Sequence, residues 1–417
     1  MKMIDFELSP KIRATKNMIH MFAENAIRPI ARQYDEQEHE KPWELFKMVQ
    51  QVMKGGMGGG LGGGDAKPDK EEGGEKKPRE TNLMTSVTVE EIFWGDAGIA
   101  LSFPGGGLGG AAVQASGTPE QREKFLARFA ADEPCWGAMA ITEPEAGSDS
   151  AAIKTTAVLD GDEWVLNGEK IFVTSGKSAL EDSKGFVVVW ATVDRSAGRA
   201  GIKPFIVEHG TPGMQITKIE DKMGIRCSDT VSLSFMDCRI PKDNILGSPE
   251  VMDKTKTEGF KKVMATFDAT RPMVAAMAIG VGRAALDFIK AELAEQGVEI
   301  RYGINPNRMT VLEREIMQME ADLKAARLLT WRAVWMLDNG ERNDLQASMA
   351  KAKAGAAVTR ITQKAVELMG PIGYSRECML EKWMRNSKIN DIFEGTGQIQ
   401  LLITARRLLD FGRDMLK

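Results

Sequence analysis

The chain has 417 residues, of which 43% are hydrophobic and 27% charged, a composition typical of soluble globular proteins. Its formal net charge of −4 argues against nucleic-acid binding, which normally needs a basic face. Its apolar runs fall short of the roughly 18 residues that a membrane-spanning helix requires, so no span is predicted. The N-terminus carries acids and helical periodicity from the start, and is interpreted as neither a signal nor a transit peptide.

The cysteines and histidines argue against a disulfide framework and against a metal centre. The four cysteines are scattered without a CxxC pair, and the three histidines form no ligand-like pair. A reducing cytosol is therefore favoured, and no metal ligand is assigned. A serine triad is not formally excluded, but no GxSxG motif marks its nucleophile. If the chain is an enzyme, we expect a carboxylate base and a cofactor for the difficult chemistry.

Residues 1–134 are predicted to form an N-terminal α-helical domain. Ser9 is a plausible N-cap for the first helix, whose apolar residues lie along one broad stripe. The segment 54–82 is rich in Gly, Lys, Glu and Pro. No strand precedes it and no GK[ST] follows it, so a surface excursion is favoured over a phosphate loop. Helix resumes near residue 85, and a second glycine cluster at 104–110 is predicted to interrupt it.

Residues 135–247 are predicted to form a compact β domain. The stretch 155–176 alternates apolar and polar residues, with Asp160-Gly161 and Asn167-Gly168 at the spacing of hairpin turns. Further strand patterns continue to about residue 245.

Residues 248–417 are predicted to form a C-terminal four-helix bundle, because four periodic segments there are long enough for it. These segments are 256–293, 308–339, 342–370 and 398–415. The order along the chain is α, then β, then α, without βαβ alternation. The predicted fold class is therefore α+β, mainly α, and a Rossmann fold is not expected.

One carboxylate, Glu394, lies between an apolar pair and a Gly-Thr-Gly hinge in "DIFEGTGQIQ". Taken alone, an acid at this position is most often a helix N-terminal residue that complements the helix dipole. Two other motifs suit a flat, acceptor-rich ligand. The first, "AITEPEAGSDSAA" (140–152), crowds hydroxyls around a glycine, and the second, "KIFVTSG" (170–176), places an aromatic residue near a hydroxyl. Each alone is equally compatible with a turn or a core strand.

In this order, these motifs resemble the acyl-CoA dehydrogenase family, and the resemblance spans essentially the whole chain. Five ordered blocks carry it: residues 6–36, 115–150, 167–176, 267–287 and 365–400. The resemblance implies an N-terminal helical domain, a central β-barrel-like domain and a C-terminal four-helix bundle. It also implies FAD as the cofactor, an acyl-CoA substrate, an electron-transferring flavoprotein as electron acceptor, and a homotetramer built as a dimer of dimers.

The resemblance also implies roles for individual residues. Met139–Thr142 would line the pyrimidine edge of FAD. Phe172 would flank its isoalloxazine ring, and Thr174 would hydrogen-bond near its N5. Ser148 would approach the pyrophosphate and the CoA arm, and Thr396 and Gln398 the phosphates and adenosine. The implied cofactor contacts are Met139, Ile141, Thr142, Ser148, Phe172, Thr174, Thr396 and Gln398. The implied substrate contacts are Ser148, Thr270, Arg271, Phe393 and Gly395.

Glu394 stands where most of the family keeps its catalytic base. A minority place the base on an earlier helix, but the matching residue here is Thr270, which cannot serve. The implied reaction is α,β-dehydrogenation: Glu394 takes the α-proton, flavin N5 accepts the β-hydrogen as hydride, and trans-2-enoyl-CoA is formed. Burial beside apolar residues is expected to raise the pKa of the glutamate.

Several positions depart from the family pattern where it contacts the adenosine diphosphate part of a neighbouring subunit's FAD. Glu299 occupies the place of an expected arginine, for which Arg301 could substitute. Thr310 and Glu367 replace glutamines, and Pro371 replaces the second glycine of a pair. New acids near phosphates are expected to weaken binding unless nearby cations compensate.

The sequence leaves two alternatives open: a catalytically reduced subunit of a hetero-oligomer, and a fold-related flavin monooxygenase or oxidase. The glycine cluster at 104–110 suggests a roomy pocket for a long or bulky acyl group, and a surface turn is equally compatible with it. The absence of a transit peptide favours the cytoplasm of a prokaryote.

Overall fold

The computed structural model describes residues 6–52, 79–251, 258–411 and 415. Most of the glycine-rich segment 54–82 lies outside these residues, so its interpretation as a surface excursion stays a prediction.

The N-terminal part of the chain is helical, as predicted. Ser9 is confirmed as an N-cap, because its hydroxyl accepts a hydrogen bond from the Ile12 N–H at 3.4 Å. Thr118 and Gln121 form a reciprocal capping box at the start of a later helix. The helices are α1 Pro10–Phe22, α2 Ala31–Glu36, α3 Trp43–Val52, α4 Thr81–Gly95, α5 Ala97–Leu101, α6 Gly107–Ser116 and α7 Pro119–Leu126.

The glycine cluster at 104–110 begins α6 instead of only interrupting helical structure. A Cβ added to Gly109 would collide with the Ala138 carbonyl, so the glycine lets the helix approach the first strand closely. Gly105 pairs with that strand through its backbone, donating to the Cys135 carbonyl at 2.8 Å and accepting from the Gly137 N–H at 3.1 Å. Close helix–strand packing therefore accounts for part of this cluster.

The central part of the chain forms a curled seven-stranded sheet. The strands are β1 Gly137–Ala140, β2 Thr156–Asp160, β3 Glu163–Thr174, β4 Phe186–Thr192, β5 Ile202–Glu208, β6 Met214–Ile219 and β7 Thr230–Pro241, with a short helix, α8 Gly176–Leu180, after β3. Their order is β1-β4-β2-β3-β7-β6, with β5 paired to β4. The β4 strand is buried along its whole length and anchors the core.

One of the two predicted hairpin turns is confirmed and the other is wrong. Asp160 pairs with Glu163 across a two-residue turn in which Gly161 has φ 62°. Gly168 instead lies within β3, at a register shift against β7. A Cβ on Gly168 would lie 2.5 Å from the Thr155 hydroxyl, so this glycine allows β3 to approach the segment before β2 closely and does not form a turn.

The C-terminal part of the chain is helical: α9 Glu258–Glu295, α10 Val311–Asp338, α11 Asp344–Tyr374, α12 Leu380–Ser387 and α13 Gly397–Leu408. The short α12 was not predicted. Helix α4 packs against α9, where a Cβ on Gly280 would collide with the Glu90 carbonyl. Residues 86–95 of α4 are buried on every face, because helices surround them.

Charged side chains cross this helical interface. Arg283 of α9 donates to Glu90 at 2.7 Å and also pairs with Glu91, and Arg327 of α10 donates to Glu90 at 2.8 Å. His20 of α1 lies 2.8 Å from Glu91. These pairs satisfy two buried carboxylates and join four helices.

Within the described residues, one segment of α9, Thr270–Glu295, is long and apolar enough to cross a membrane. However, 72% of its most apolar window is buried inside the protein, as in the core helix of a globular domain.

Candidate active site

The Glu394 segment turns sharply between two helices. A 3₁₀ turn, Lys388–Asp391, follows α12, and Glu394 and Gly395 then adopt φ values of 55° and 87°. A left-handed conformation is costly for a glutamate, so the surrounding structure must enforce it. Thr396 closes the turn as the N-cap of α13, where its hydroxyl accepts from the Ile399 N–H at 3.3 Å. The turn fixes the direction in which the Glu394 side chain leaves the backbone.

The Glu394 carboxylate contacts α9, the first helix of the C-terminal part of the chain. The Thr270 hydroxyl donates to Glu394 Oε2 at 3.0 Å. Desolvation by burial raises the pKa of Glu394, while the Thr270 hydroxyl and the charges of Arg271 and Lys351 oppose that rise. The net shift is upward, so this carboxylate has a greater affinity for a proton than an ordinary glutamate. The two positions where the family pattern allows a base thus lie in direct contact.

A second group of predicted residues gathers on the β domain. The Ile171 N–H donates to the Thr142 carbonyl at 2.9 Å, which brings Met139–Thr142 beside the strand that carries Phe172 and Thr174. The Lys170 ammonium fixes the same edge by donating to the Ile141 carbonyl at 3.1 Å. The motifs "AITEPEAGSDS" and "KIFVTSG" therefore form one continuous surface.

Phe172 is the exposed aromatic residue of this surface. It lies at the register shift between Lys170 and Val173, with φ 57°, and its side chain is 61% exposed. The half-buried Thr174 and Thr142 lie on the same surface, and Ser148 is exposed. An exposed aromatic ring on the same surface as hydroxyl groups fits a flat heteroaromatic ring system such as the isoalloxazine of FAD. The residues present therefore fit this cofactor.

The structure also joins the two groups through their domains. The Ile225 N–H, in the loop before β7, donates at 2.7 Å to Asn386, eight residues before Glu394. A Cβ on Gly224 would lie 2.5 Å from the Arg385 backbone, so the β domain and α12 approach each other closely here.

The remaining predicted contacts have varied surroundings. Arg271 is buried, Phe393 is half-buried and Gln398 is exposed. The Thr396 hydroxyl already caps α13, which leaves it an acceptor lone pair and its proton for a ligand.

Sequence reasoning missed Lys351 and Gln400, which both donate to the Gly395 carbonyl, at 2.6 Å and 3.1 Å. The available signal was a lysine among small residues in "ASMAKAKAGAAV", where the helix pattern predicts a buried position.

The departures from the family pattern have local explanations. Thr310 is the N-cap of α10, in a reciprocal capping box with Glu313. Arg301 donates to both carboxylate oxygens of Glu313, at 2.6 Å and 2.8 Å, so its charge is already compensated. Glu367 is exposed and pairs with Lys364 at 2.8 Å.

Pro371 follows Gly370, which has φ 55° and ψ −128° and kinks α11 near its C-terminal end. Glu299 is exposed, in the connection between α9 and α10.

Among the described residues, Glu38, His39 and Asp221 place ligand-type atoms within 4.8 Å of one another. Glu38 already pairs with Arg226 at 2.9 Å and accepts from the Lys222 N–H at 2.9 Å. The Arg226 guanidinium therefore already compensates the Glu38 charge, which disfavours a bound metal ion.

Comparisons with known proteins agree along the chain. Family models described as acyl-CoA dehydrogenase N-terminal, middle and C-terminal domains match residues 9–133, 138–238 and 257–409. The chain is 37% identical to the human (Homo sapiens) mitochondrial short-chain specific acyl-CoA dehydrogenase, over 93% of this chain and 87% of that protein. It is 34% identical to the short-chain specific acyl-CoA dehydrogenase of Clostridium acetobutylicum, over 97% and 100% of the two chains. The structure of butyryl-CoA dehydrogenase from Megasphaera elsdenii matches with a TM-score of 0.80 and 31% identity, over 97% and 100% of the two chains.

Proposed function

The chain belongs to the acyl-CoA dehydrogenase family and is an oxidoreductase of that class, and we propose that Glu394 is the base that removes the substrate's α-proton. The observation that carries this proposal is the environment of Glu394. Its carboxylate has a pKa raised by desolvation, is held by the Thr270 hydroxyl and projects from a left-handed turn. A base with raised proton affinity in a fixed position is what α-proton removal from a thioester requires.

The chain's own residues set up the proton transfer. Thr270 orients one carboxylate oxygen, and the rigid turn at Glu394–Gly395 limits the directions in which the other can point. The charge that develops on the thioester oxygen needs donors in place beforehand, and the backbone N–H of Glu394 is our candidate among the protein's own groups. The chemistry that a bound FAD would supply is acceptance of the β-hydrogen as a hydride. Glu394 is half-buried beside α9, and the desolvation of its carboxylate favours the protonated form that follows proton transfer.

We assign the FAD ring to the surface formed by Phe172, Thr174 and Met139–Thr142, which the Ile171–Thr142 hydrogen bond holds together. Ser148, Thr396 and Gln398 are proposed to reach the phosphates and adenosine. The proposed substrate contacts are Ser148, Thr270, Arg271, Phe393 and Gly395.

We propose a short acyl group on the CoA thioester. Two relatives are short-chain specific enzymes and a third is a butyryl-CoA dehydrogenase, which favours a short substrate over the long or bulky one suggested by the glycine cluster. The packing of Gly109 against β1 also removes part of the reason to expect a roomy pocket.

Family membership supports an electron-transferring flavoprotein as the electron acceptor and a homotetramer as the assembly. A prokaryotic cytoplasmic location is proposed on the likeness to the bacterial relative.

The test is anaerobic reduction of the purified, flavin-loaded protein by short acyl-CoA. We expect butyryl-CoA to bleach the wild-type flavin, and Glu394→Gln to slow bleaching by about 10²–10⁴-fold while keeping its flavin. Glu295→Gln, which changes an exposed acid at the end of α9, is the matched control and should bleach normally. Rapid bleaching by Glu394→Gln would show that another group is the base.

The same preparation distinguishes the alternatives. Colourless protein that copurifies with a related chain would indicate a catalytically reduced subunit, and rapid oxygen consumption by the reduced protein would indicate an oxidase. A yellow homotetramer that reacts slowly with oxygen supports the dehydrogenase.

A further inference from the structure

Lys351 lies in the interior of α11, and its side chain is only 1% exposed. Its ammonium donates to the carbonyl of Gly395 at 2.6 Å. Gly395 is the residue directly after the proposed base, Glu394. A buried ammonium is costly to desolvate, and a neutral carbonyl compensates less of that cost than a carboxylate would. Packing alone therefore does not explain why a charged lysine, Lys351, is buried against the Gly395 carbonyl.

The same carbonyl accepts a second hydrogen bond, from the fully buried Gln400 amide at 3.1 Å. Gly395 cannot carry a side chain here, because a Cβ would lie 2.5 Å from that amide nitrogen and because its φ is 87°. Two donors from different helices, α11 and α13, thus hold one peptide group. Rotation of this peptide group would alter the left-handed turn at Glu394–Gly395, which sets the direction of the Glu394 side chain.

We propose that Lys351 is a positioning residue for Glu394: by binding the Gly395 carbonyl it holds the left-handed turn that aims the carboxylate at the substrate. This inference rests on the proposed role of Glu394 as the base. Lys351 does not exchange protons with the substrate, and acts only through the peptide group and through its charge.

Charge adds a second, measurable consequence. The groups that face Lys351 are Asp391 and Glu394, whose charges raise its pKa, and Arg271, whose charge lowers it. Desolvation is the largest influence and lowers the pKa of Lys351 to about 8. The positive charge of Lys351 in turn lowers the pKa of Glu394. Removing that charge must therefore raise the pKa of the base, which packing alone would not do.

The experiment uses Lys351→Met in the flavin-loaded protein, which keeps the length of the side chain and removes its charge and donor. We expect the rate constant for flavin reduction by butyryl-CoA to fall by about 10- to 100-fold, with a smaller change in KM. We also expect the acidic limb of the rate–pH profile to move to higher pH. An infrared titration of the Glu394 carboxyl, with Glu394→Gln as the blank, should show the same upward shift without relying on turnover.

Lys353→Met is the matched control, because Lys353 lies two residues along α11 and pairs with Asp322 at 2.7 Å. It should leave the rate constant and the pH profile unchanged. Gln400→Met tests the other donor if Lys351→Met fails to retain flavin. It removes one bond to the Gly395 carbonyl but keeps the charge, so the rate should fall several-fold with no shift of the acidic limb.

Two results would overturn the inference: wild-type rate and pH profile in flavin-loaded Lys351→Met, or wild-type rate in Gln400→Met if Lys351→Met does not hold flavin. If Glu394→Gln is inactive in the same series, the base remains assigned and only the role of Lys351 fails. If Glu394→Gln is active, the assignment of the base fails first.

Discussion

Glu90 and Glu394 are both carboxylates enclosed by helices, yet their surroundings shift their pKa values in opposite directions. Glu90 is 5% exposed and accepts charged hydrogen bonds from Arg283 and Arg327, and these cations lower its pKa despite desolvation. Glu394 accepts a hydrogen bond from the neutral Thr270 hydroxyl, and desolvation raises its pKa. The difference lies in the donors that each site provides, and not in burial alone.

This contrast separates a structural carboxylate from a reactive one. Direct pairing with arginine favours the ionised form so strongly that the acid is a poor proton acceptor. A hydroxyl orients the acid without neutralising it, and cations that act at a distance temper its proton affinity. Helix α9 supplies both environments, through Thr270 and through Arg283, which lies 13 residues further along the same helix.

The largest expected effect is a loss of stability when the arginine pairing at Glu90 and Glu91 is disrupted. Arg283→Met leaves the buried Glu91 without its arginine partner and Glu90 with Arg327 alone, and should lower the free energy of unfolding by about 3–5 kcal/mol. Denaturant unfolding of the flavin-loaded protein measures this. Lys290→Met, on the same helix, removes an ion pair to Glu320 that is partly exposed, and should cost less than about 1 kcal/mol. Equal costs for the two variants would contradict the contrast.

Thr270→Val removes the hydroxyl that donates a hydrogen bond to the Glu394 carboxylate. Losing the donated hydrogen bond removes an influence that lowers the pKa of Glu394, so the acidic limb of the rate–pH profile should move upward. At pH values on the acidic limb, Thr270→Val should react about tenfold more slowly than the wild type. At high pH, where Glu394 is ionised in both proteins, part of this difference should disappear.

Thr330→Val is the matched control for Thr270→Val. Thr330 is a helical threonine like Thr270, but it is fully buried and its hydroxyl donates to the Ala326 carbonyl at 2.9 Å instead of to a carboxylate. It should leave the profile in place, and a shift in both variants would point to a general loss of packing.

Phe172→Ala tests whether the exposed ring on β3 belongs to the cofactor surface. We expect FAD affinity to fall by about 2- to 10-fold, measured by flavin release, because ring-to-ring contact contributes roughly 0.5–1.5 kcal/mol. The stability of flavin-free protein should change little, since the ring is 61% exposed. Val158→Ala, equally exposed on the neighbouring β2, should affect neither quantity. Unchanged flavin release in Phe172→Ala would place the cofactor elsewhere.

The smallest effect is a difference in how stability depends on pH. The raised pKa of Glu394 means that the folded protein holds its proton more tightly than the unfolded chain does. Stability is therefore lost as pH rises through the unfolded and then the folded pKa, and Glu394→Gln should gain relative stability over that range. Glu90 has a lowered pKa, so Glu90→Gln should lose relative stability as pH rises. Unfolding curves at acidic and neutral pH measure both slopes, and slopes of the same sign would contradict the opposite pKa shifts.

The sequence predicted the order of helical and β regions, because long periodic segments and alternating strands carry strong local signals. The Ser9 cap and the Asp160-Gly161 turn were predicted for the same reason. Gly168 was misassigned, because Asn-Gly favours a turn locally while a close contact with Thr155 decides its role in the fold. Helix α12 is only eight residues long and gives too short a pattern for detection.

At the site, the residue types were predictable but their partners were not. The resemblance placed emphasis on Glu394, Phe172 and Thr142, whereas the contact between Thr270 and Glu394 joins residues 124 positions apart. Lys351 escaped notice because its role depends on a carbonyl 44 residues away, and backbone acceptors leave no mark in the sequence.

The most direct test of the central claim is the pH dependence of single-turnover flavin reduction by butyryl-CoA, in wild type and in Glu394→Gln. We predict an acidic limb in the wild type with an apparent pKa above the ordinary value for a glutamate. This limb should disappear together with the fast reaction in Glu394→Gln. A fast reaction in Glu394→Gln with the same acidic limb would contradict it, because the titrating base would then be another group.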